Sequence, residues 1–309
     1  MGIEIIEKKV PSTDGRHMLY GKVYVPSTEP KGLFQIVHGM AEHIGRYDSF
    51  MKKLAEDGWL VFGSNHVGHA YTSEKDEYGY FGPGDGEKLV VDDVNEFYKS
   101  VSHYYPGKKH VLMGHSMGSF IARLTAEKYP ESMDALIIMG TGGKNPACGA
   151  GLAVSSLIGF FKGKKHVSRL ITKMAFGKYN DRTENQTHMD WCTRDREILN
   201  RNISEEIANF PFTVSGMHEL VKMNRDCNLE KWYNAVRKDM PIYIISGTED
   251  PVGDYGKGPK EVYDKLKKAG CKDVTLDMRE GDRHEVLNEF DREQVSSDLV
   301  KWADSVLEK

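Results

Sequence analysis

The chain has 309 residues, 39% of them hydrophobic and 28% charged, with a formal net charge of −4. That balance suits a chain able to bury a sizeable core, in one α/β domain or two. It leaves no basic footprint for nucleic acid, and no run approaches the ~20 apolar residues that span a bilayer.

The first nine residues hold no apolar core long enough for a secretory signal, and Ile6 stands where a myristoylation signal needs Ser or Thr. Two amphipathic strands follow, Ile3 to Val10 and Met18 to Val25, with Thr13-Asp14-Gly15 as the turn between them. After Pro30 the pattern changes to short apolar runs alternating with helical segments, as in a parallel sheet covered on both faces. The runs begin at Leu33, Trp59, His110 and Ala135, and two more come much later, at Ile242 and Val274. Between them Tyr47, Phe50, Met51 and Leu54 fit one helix face, and Val90, Val94, Phe97, Tyr98 and Val101 another. A last helix is expected from about Arg292 to Leu307. Six strands with such crossovers predict an open, doubly wound, mostly parallel sheet.

One interval breaks the rhythm. From about Gly142 to Met240 no strand is evident, and so long an insertion is expected to form a helical cap. The expected division is a core of residues 1–141 and 241–309 and a cap of residues 142–240. Cys148, Cys192, Cys227 and Cys271 form no Cys-x-x-Cys pair, as expected of free thiols in a reducing cytosol. A cytoplasmic protein is therefore expected. The basic stretch Lys162 to Lys165 reads as a solvated turn.

Gly114-His115-Ser116-Met117-Gly118 matches Gly-x-Ser-x-Gly, a weak signal alone. Its context strengthens it. The motif directly follows an apolar strand and directly precedes the helical pattern Phe120-Ile121-Leu124. So sharp a turn strains the backbone at the serine and lifts its hydroxyl clear of the sheet. An ordinary glycine-rich turn is the bland alternative. A serine hydroxyl needs a neighbouring base, and the expected chain order on such a sheet is Ser, then Asp or Glu, then His. His284 is the only histidine after His218, so the base falls there. For the acid, Glu249 and Asp250 compete, with Asp254 close by, and periodicity cannot separate neighbours in a loop. An oxyanion hole requires two backbone N–H groups. They are expected from Met117, after the nucleophile, and from Met40 in the loop His38-Gly39-Met40-Ala41.

With these residues in view, the chain resembles the monoacylglycerol lipase and lysophospholipase branch of the α/β-hydrolases, the serine aminopeptidase S33 type. The blocks that carry the resemblance include His38 to His43, Arg46-Tyr47 and His66-Val67-Gly68-His69. Gly114 to Gly118, Gly247 to Val252 and His284 to Leu287 complete it. The resemblance implies the α/β-hydrolase fold and places the acid in Gly-x-x-Asp-x-Val, which selects Asp250 over Glu249. It also supports Met40 and Met117 as oxyanion donors. Asn65, Ala70 and Ser119 depart from the family pattern without removing a catalytic group. The implied chemistry is two-step acyl transfer with no metal and no organic cofactor.

His38, His43, His66 and His69 could suggest a metal site, but no supporting carboxylate sits at ligand spacing. The resemblance implies instead that they bind loop backbones. Leu152 to Phe161 is apolar and either meets lipid at an interface or packs on the sheet domain. Trp191, Phe210, Phe212, Met217 and Met223 suit a pocket wall and a small cap core equally. The leading functional expectation is hydrolysis of a long-chain monoester, monoacylglycerol or lysophospholipid, with transient membrane-surface contact through the cap. The alternative is an esterase, thioesterase or small-peptide hydrolase using the same triad. A non-catalytic binding protein on the same fold is the third reading.

Overall fold

The structure, a computed structural model, describes residues 2–308. Eight strands form one sheet: β1 (Glu4–Pro11), β2 (Met18–Val25), β3 (Gly32–Val37), β4 (Trp59–Ser64), β5 (His110–His115), β6 (Ala135–Met139), β7 (Ile242–Gly247) and β8 (Val274–Arg279). Their spatial order is β1-β2-β4-β3-β5-β6-β7-β8. The β1–β2 hairpin is antiparallel and joins β4 antiparallel, and every pair from β4 through β8 is parallel. The opening hairpin and six later strands are those expected from the sequence, with the first strand shifted by one residue.

The ten helices among the described residues are α1 (Asp48–Glu56), α2 (Gly86–Ser102), α3 (Met117–Lys128), α4 (Cys148–Lys162), α5 (Arg169–Phe176), α6 (Arg196–Ile203), α7 (Val214–Cys227), α8 (Glu230–Ala235), α9 (Lys257–Lys268) and α10 (Arg292–Leu307). Alternate residues of the central strands feed two separate cores. Leu112, Leu136 and Ile138 pack with Val90 and Val94 of α2, Ile121 of α3 and Val262 of α9. Val111, Met113 and Ile137 pack on the other face with Phe50 and Leu54 of α1 and Val295 and Leu299 of α10. Both faces of the sheet are therefore buried, which is why these strands read as continuous apolar runs rather than alternating ones.

Parallel register brings the carboxyl ends of the central strands to one edge. Val37 pairs with Gly114, His115 with Met139, Met139 with Ile245 and Gly247 with Arg279. The loops that carry residues 38–41, 116, 250 and 284 thus emerge side by side. No strand forms among the described residues of 142–240, which hold α4 to α8. Lys162 ends α4, and Lys164 and Lys165 form an exposed turn, although Lys164 donates to the Pro83 carbonyl at 2.8 Å and Lys165 approaches Glu77 at 3.6 Å. No helix among the described residues is long and apolar enough to cross a membrane.

Candidate active site

The turn between β5 and α3 is the tightest in the sheet. Ser116 sits there at φ 55° and ψ −122°, a region that a residue with a Cβ enters only under strain. The two glycines of the motif make this turn sterically feasible. A Cβ on Gly114 would lie 2.1 Å from the Gly118 carbonyl oxygen, and one on Gly118 would lie 2.1 Å from that of Val37. Ser116 itself is only partly buried, and α3 begins at the next residue with no side-chain cap on its first N–H groups.

His284 and Asp250 come together from the loops after β8 and β7. The His284 Nδ1 lies 2.9 Å from Asp250 Oδ2, and both residues are buried. The second Asp250 oxygen accepts from the Val252 amide at 2.8 Å, and the Ser246 hydroxyl lies 3.3 Å from Oδ2. The carboxylate is thereby oriented from three sides. Glu249 is exposed, and Asp254 is an exposed partner of Lys257 at 3.0 Å, so neither competes for the imidazole. Ser116 and His284 line the same cavity.

The loop after β3 disposes of its amides one by one. The Gly39 N–H donates to Glu42, and the Ala41 N–H to His69 Nε2 at 3.2 Å. Of the three, only the Met40 amide is not engaged by a neighbouring side chain. Met40 and Met117 both border the cavity beside Ser116.

Residues 28–291 match the family described as serine aminopeptidase, S33. The chain belongs to this family of α/β-hydrolases. A monoglyceride lipase homolog of Monkeypox virus is 28% identical across 92% of this chain and 93% of its own length. The monoacylglycerol lipase of Mycolicibacterium smegmatis is 24% identical across 95% and 98%. The crystal structure of a thermostable carboxyl esterase from Bacillus coagulans, in complex with glycerol, superposes with a TM-score of 0.92 at 28% identity, covering 99% of each chain. The protein is accordingly a serine hydrolase of the lipase and esterase kind.

Three buried histidines brace the hydrolase's β3 loop. His38 takes the His66 amide on Nε2 at 3.1 Å and gives its Nδ1–H to the Gly39 carbonyl at 2.9 Å. His66 Nε2 donates to the His38 carbonyl at 3.1 Å, and His69 Nδ1 to that of Val67 at 3.2 Å. Each ring makes its bonds as a neutral tautomer, and burial lowers His66 to about 4 and His69 to about 3. With their nitrogens turned to backbone groups, these rings act as supports for the loop. Asn65 extends the brace by accepting from the Ile44 amide at 2.9 Å.

Two groups near the hydrolase's centre escaped sequence reasoning. Glu42, His115 and Tyr47 form a buried polar cluster behind Ser116, although all three stand in the motif blocks read above. Segment 184–195 runs along the His284 loop. His284 and Glu285 donate their amides to the carbonyls of Trp191 and Cys192 at 3.4 and 2.8 Å. Arg283 donates to the carbonyl of Asp190 and to Glu184, both at 2.8 Å. Arg194 pairs with Glu289 at 2.9 Å and with Asp282. The Trp191 ring stands 5.0 Å from that of His284. Nothing in the local spacing of Glu184 to Asp195 signals this contact, because it joins residues about 90 positions apart.

The cavity holds about 1200 Å³. Phe120, Val154, Ile171, Phe176, Met217 and Leu220 form much of its apolar wall. Trp191, Phe210 and Phe212 also face it, whereas Met223 is fully buried in the core. A second, more polar cavity of about 530 Å³ shares Glu42, Arg46, His115 and Glu285 with the first.

Proposed function

We propose that this hydrolase cleaves long-chain monoesters, monoacylglycerols or lysophospholipids, through an acyl-enzyme on Ser116. The observation that carries this reading is the large apolar cavity that Ser116 and His284 share. It exceeds the ~300–1,000 Å³ of ordinary small-molecule sites. Each buried methylene of a substrate chain gains up to about 0.8 kcal/mol there.

Ser116 Oγ attacks the ester carbonyl while His284 Nε2 takes its proton. Asp250 keeps the Nδ1–H tautomer in place and stabilises the imidazolium that forms. The Met40 and Met117 amides receive the charge on the carbonyl oxygen. His284 returns its proton to the leaving alcohol, then activates the water that releases the fatty acid. The scheme uses no metal and no organic cofactor.

Residues 142–240 act as the helical cap over this cavity. Leu157, Phe160, Phe161, Leu170 and Met174 are exposed on α4 and α5, next to Lys162, Arg169 and Lys173. An exposed apolar face with a basic border supports transient docking on a lipid surface. Four buried free cysteines are consistent with work in the reducing cytoplasm.

The decisive test uses p-nitrophenyl esters of rising acyl length, with Ser116→Ala as the blank. kcat/KM should climb steadily toward long chains, and Ser116→Ala should lose roughly 10⁴- to 10⁶-fold in kcat with its Tm unchanged. A maximum at acetate or butyrate removes the lipid substrate and leaves a short-chain esterase. A folded, active Ser116→Ala protein removes the mechanism.

A further inference from the structure

His115 differs from His38, His66 and His69 in what its ring nitrogens face. Its Nδ1 lies 3.3 Å from Glu42 Oε1 and 3.0 Å from the Tyr47 oxygen. The Tyr47 hydroxyl lies 2.9 Å from the same Glu42 oxygen and has one proton to give, to that oxygen or to His115 Nδ1. The His115 Nε2 lies 3.3 Å from the carbonyl oxygen of His284. The carboxylate and the carbonyl are both acceptors, and a neutral imidazole carries only one N–H. An imidazolium serves both acceptors at once. His115 and Glu42 are each about 5% exposed.

We propose that His115 is held as an imidazolium in the working enzyme and serves as a positioning residue for His284. Its Nε2–H fixes the backbone of the catalytic base, and its Nδ1–H, through Glu42, ties that grip to the oxyanion loop. Glu42 completes the circuit by accepting the Gly39 amide. One buried ion pair therefore sets the spacing of three loops: the oxyanion loop, the nucleophile turn and the His284 loop. The effect on turnover rests on the Ser116 and His284 roles proposed above, whereas the charge of the ring can be read without them.

The surroundings agree with a charged ring. Burial works against the imidazolium, and Glu42 overcomes it, with help from Glu285 and the His284 carbonyl. Burial likewise pushes Glu42 up, and His115 and Arg46 bring it down to about 2. The charged and titratable groups around the ring are Glu42, Glu285, Arg46, Tyr47 and His284 itself, whose ring centre is 4.7 Å away. Loss of the proton at alkaline pH leaves one of the two acceptors without its hydrogen. The base then loses its hold, and turnover falls while substrate binding is kept.

The test combines NMR of ring-labelled histidine with kcat and KM from pH 6 to 10. In the intact enzyme His115 should show two protonated ring nitrogens at pH 7. His115→Gln, which can donate to the His284 carbonyl but cannot be charged, should lower kcat about ten- to a hundredfold. Its KM should stay within about twofold, and its alkaline limb should disappear, since the group that titrates is gone. Glu42→Gln, which still accepts from Gly39 and Tyr47, should move that limb toward neutral pH. A singly protonated His115 ring at pH 7 overturns the proposal, as does an unchanged alkaline limb in either variant. If His115→Gln does not fold, the ring signal of the intact enzyme and the Glu42→Gln profile decide alone. Failure of the Ser116 reading would appear separately, as a wild-type enzyme that a fluorophosphonate probe does not label.

Discussion

Two stretches of the 142–240 interval, close in sequence, are held in opposite ways. In α4 and α5 the buried residues are Cys148, Ser155 and Ile171, while Leu157, Phe160, Phe161, Leu170 and Met174 stand in solvent. Segment 184–195 does the reverse. Asp190, Cys192 and Thr193 are buried, and directional bonds from Arg194, Arg283, Thr193 and Glu285 fasten it to the His284 loop. The part that meets His284 is fixed by polar bonds with strict geometry. The part that meets solvent packs on α7 along one face and exposes apolar surface on the other. The interval is not uniform: one section is bonded to the His284 loop, and the other presents apolar side chains to solvent.

The strongest attack on this contrast is Arg283→Met. It leaves the Asp190 and Thr193 carbonyls without this donor, while Glu184 keeps Arg196. Stability should drop by about 1–3 kcal/mol, and kcat on a short soluble ester by roughly a hundredfold. Equal thermal melts for wild type and variant would mean that segment 184–195 is no better anchored than α4.

The exposed section should answer differently. Phe160→Ser combined with Phe161→Ser should leave Tm and short-ester turnover unchanged, since these rings are 83% and 73% exposed. Binding to lipid vesicles, read by co-sedimentation, should weaken by about 2 kcal/mol, the value of one large apolar side chain. Unaltered vesicle binding would show that this face does not dock.

Acid should act on the histidine brace of the β3 loop. His66 at about 4 and His69 at about 3 stay neutral when folded, whereas their unfolded value is near 6.5. The unfolded chain therefore binds more protons in this window. Stability is fully present above pH ~6.5 and falls as pH drops toward ~4, by up to about 1.4 kcal/mol per unit for each ring. His38 and His110 act in the same direction. Asp282, raised to about 7 by burial and by Asp291 and Glu289, opposes them, as do Glu87 and Asp93, both raised by burial. A Tm that rises between pH 6.5 and 4.5 would contradict this balance.

The smallest effect belongs to the basic border. Lys173→Gln should cost about 1 kcal/mol of affinity for anionic vesicles and nothing for neutral ones. High salt should erase the difference.

Much of the fold was legible before any coordinates, because sheet and helix periods are local. The apolar runs at β3 to β8 and the helix Arg292 to Leu307 follow from composition and spacing alone. So does the strained turn at Ser116, whose flanking glycines declare the close packing they permit. The order of the strands, which places the loops of Ser116, Asp250 and His284 at one edge, required crossover rules in addition to local pattern.

Tertiary structure decided the rest. Glu249 and Asp250 are neighbours of like chemistry, and only the fold turns one toward His284 and the other to water. Four buried histidines look alike in sequence. Partners brought from 25 to 170 residues away make His38, His66 and His69 neutral and give His115 two acceptors. The bond of segment 184–195 to the His284 loop is equally silent in the chain. Charge state and hydrogen-bond direction depend on what surrounds a side chain in space, and a sequence records only what precedes and follows it.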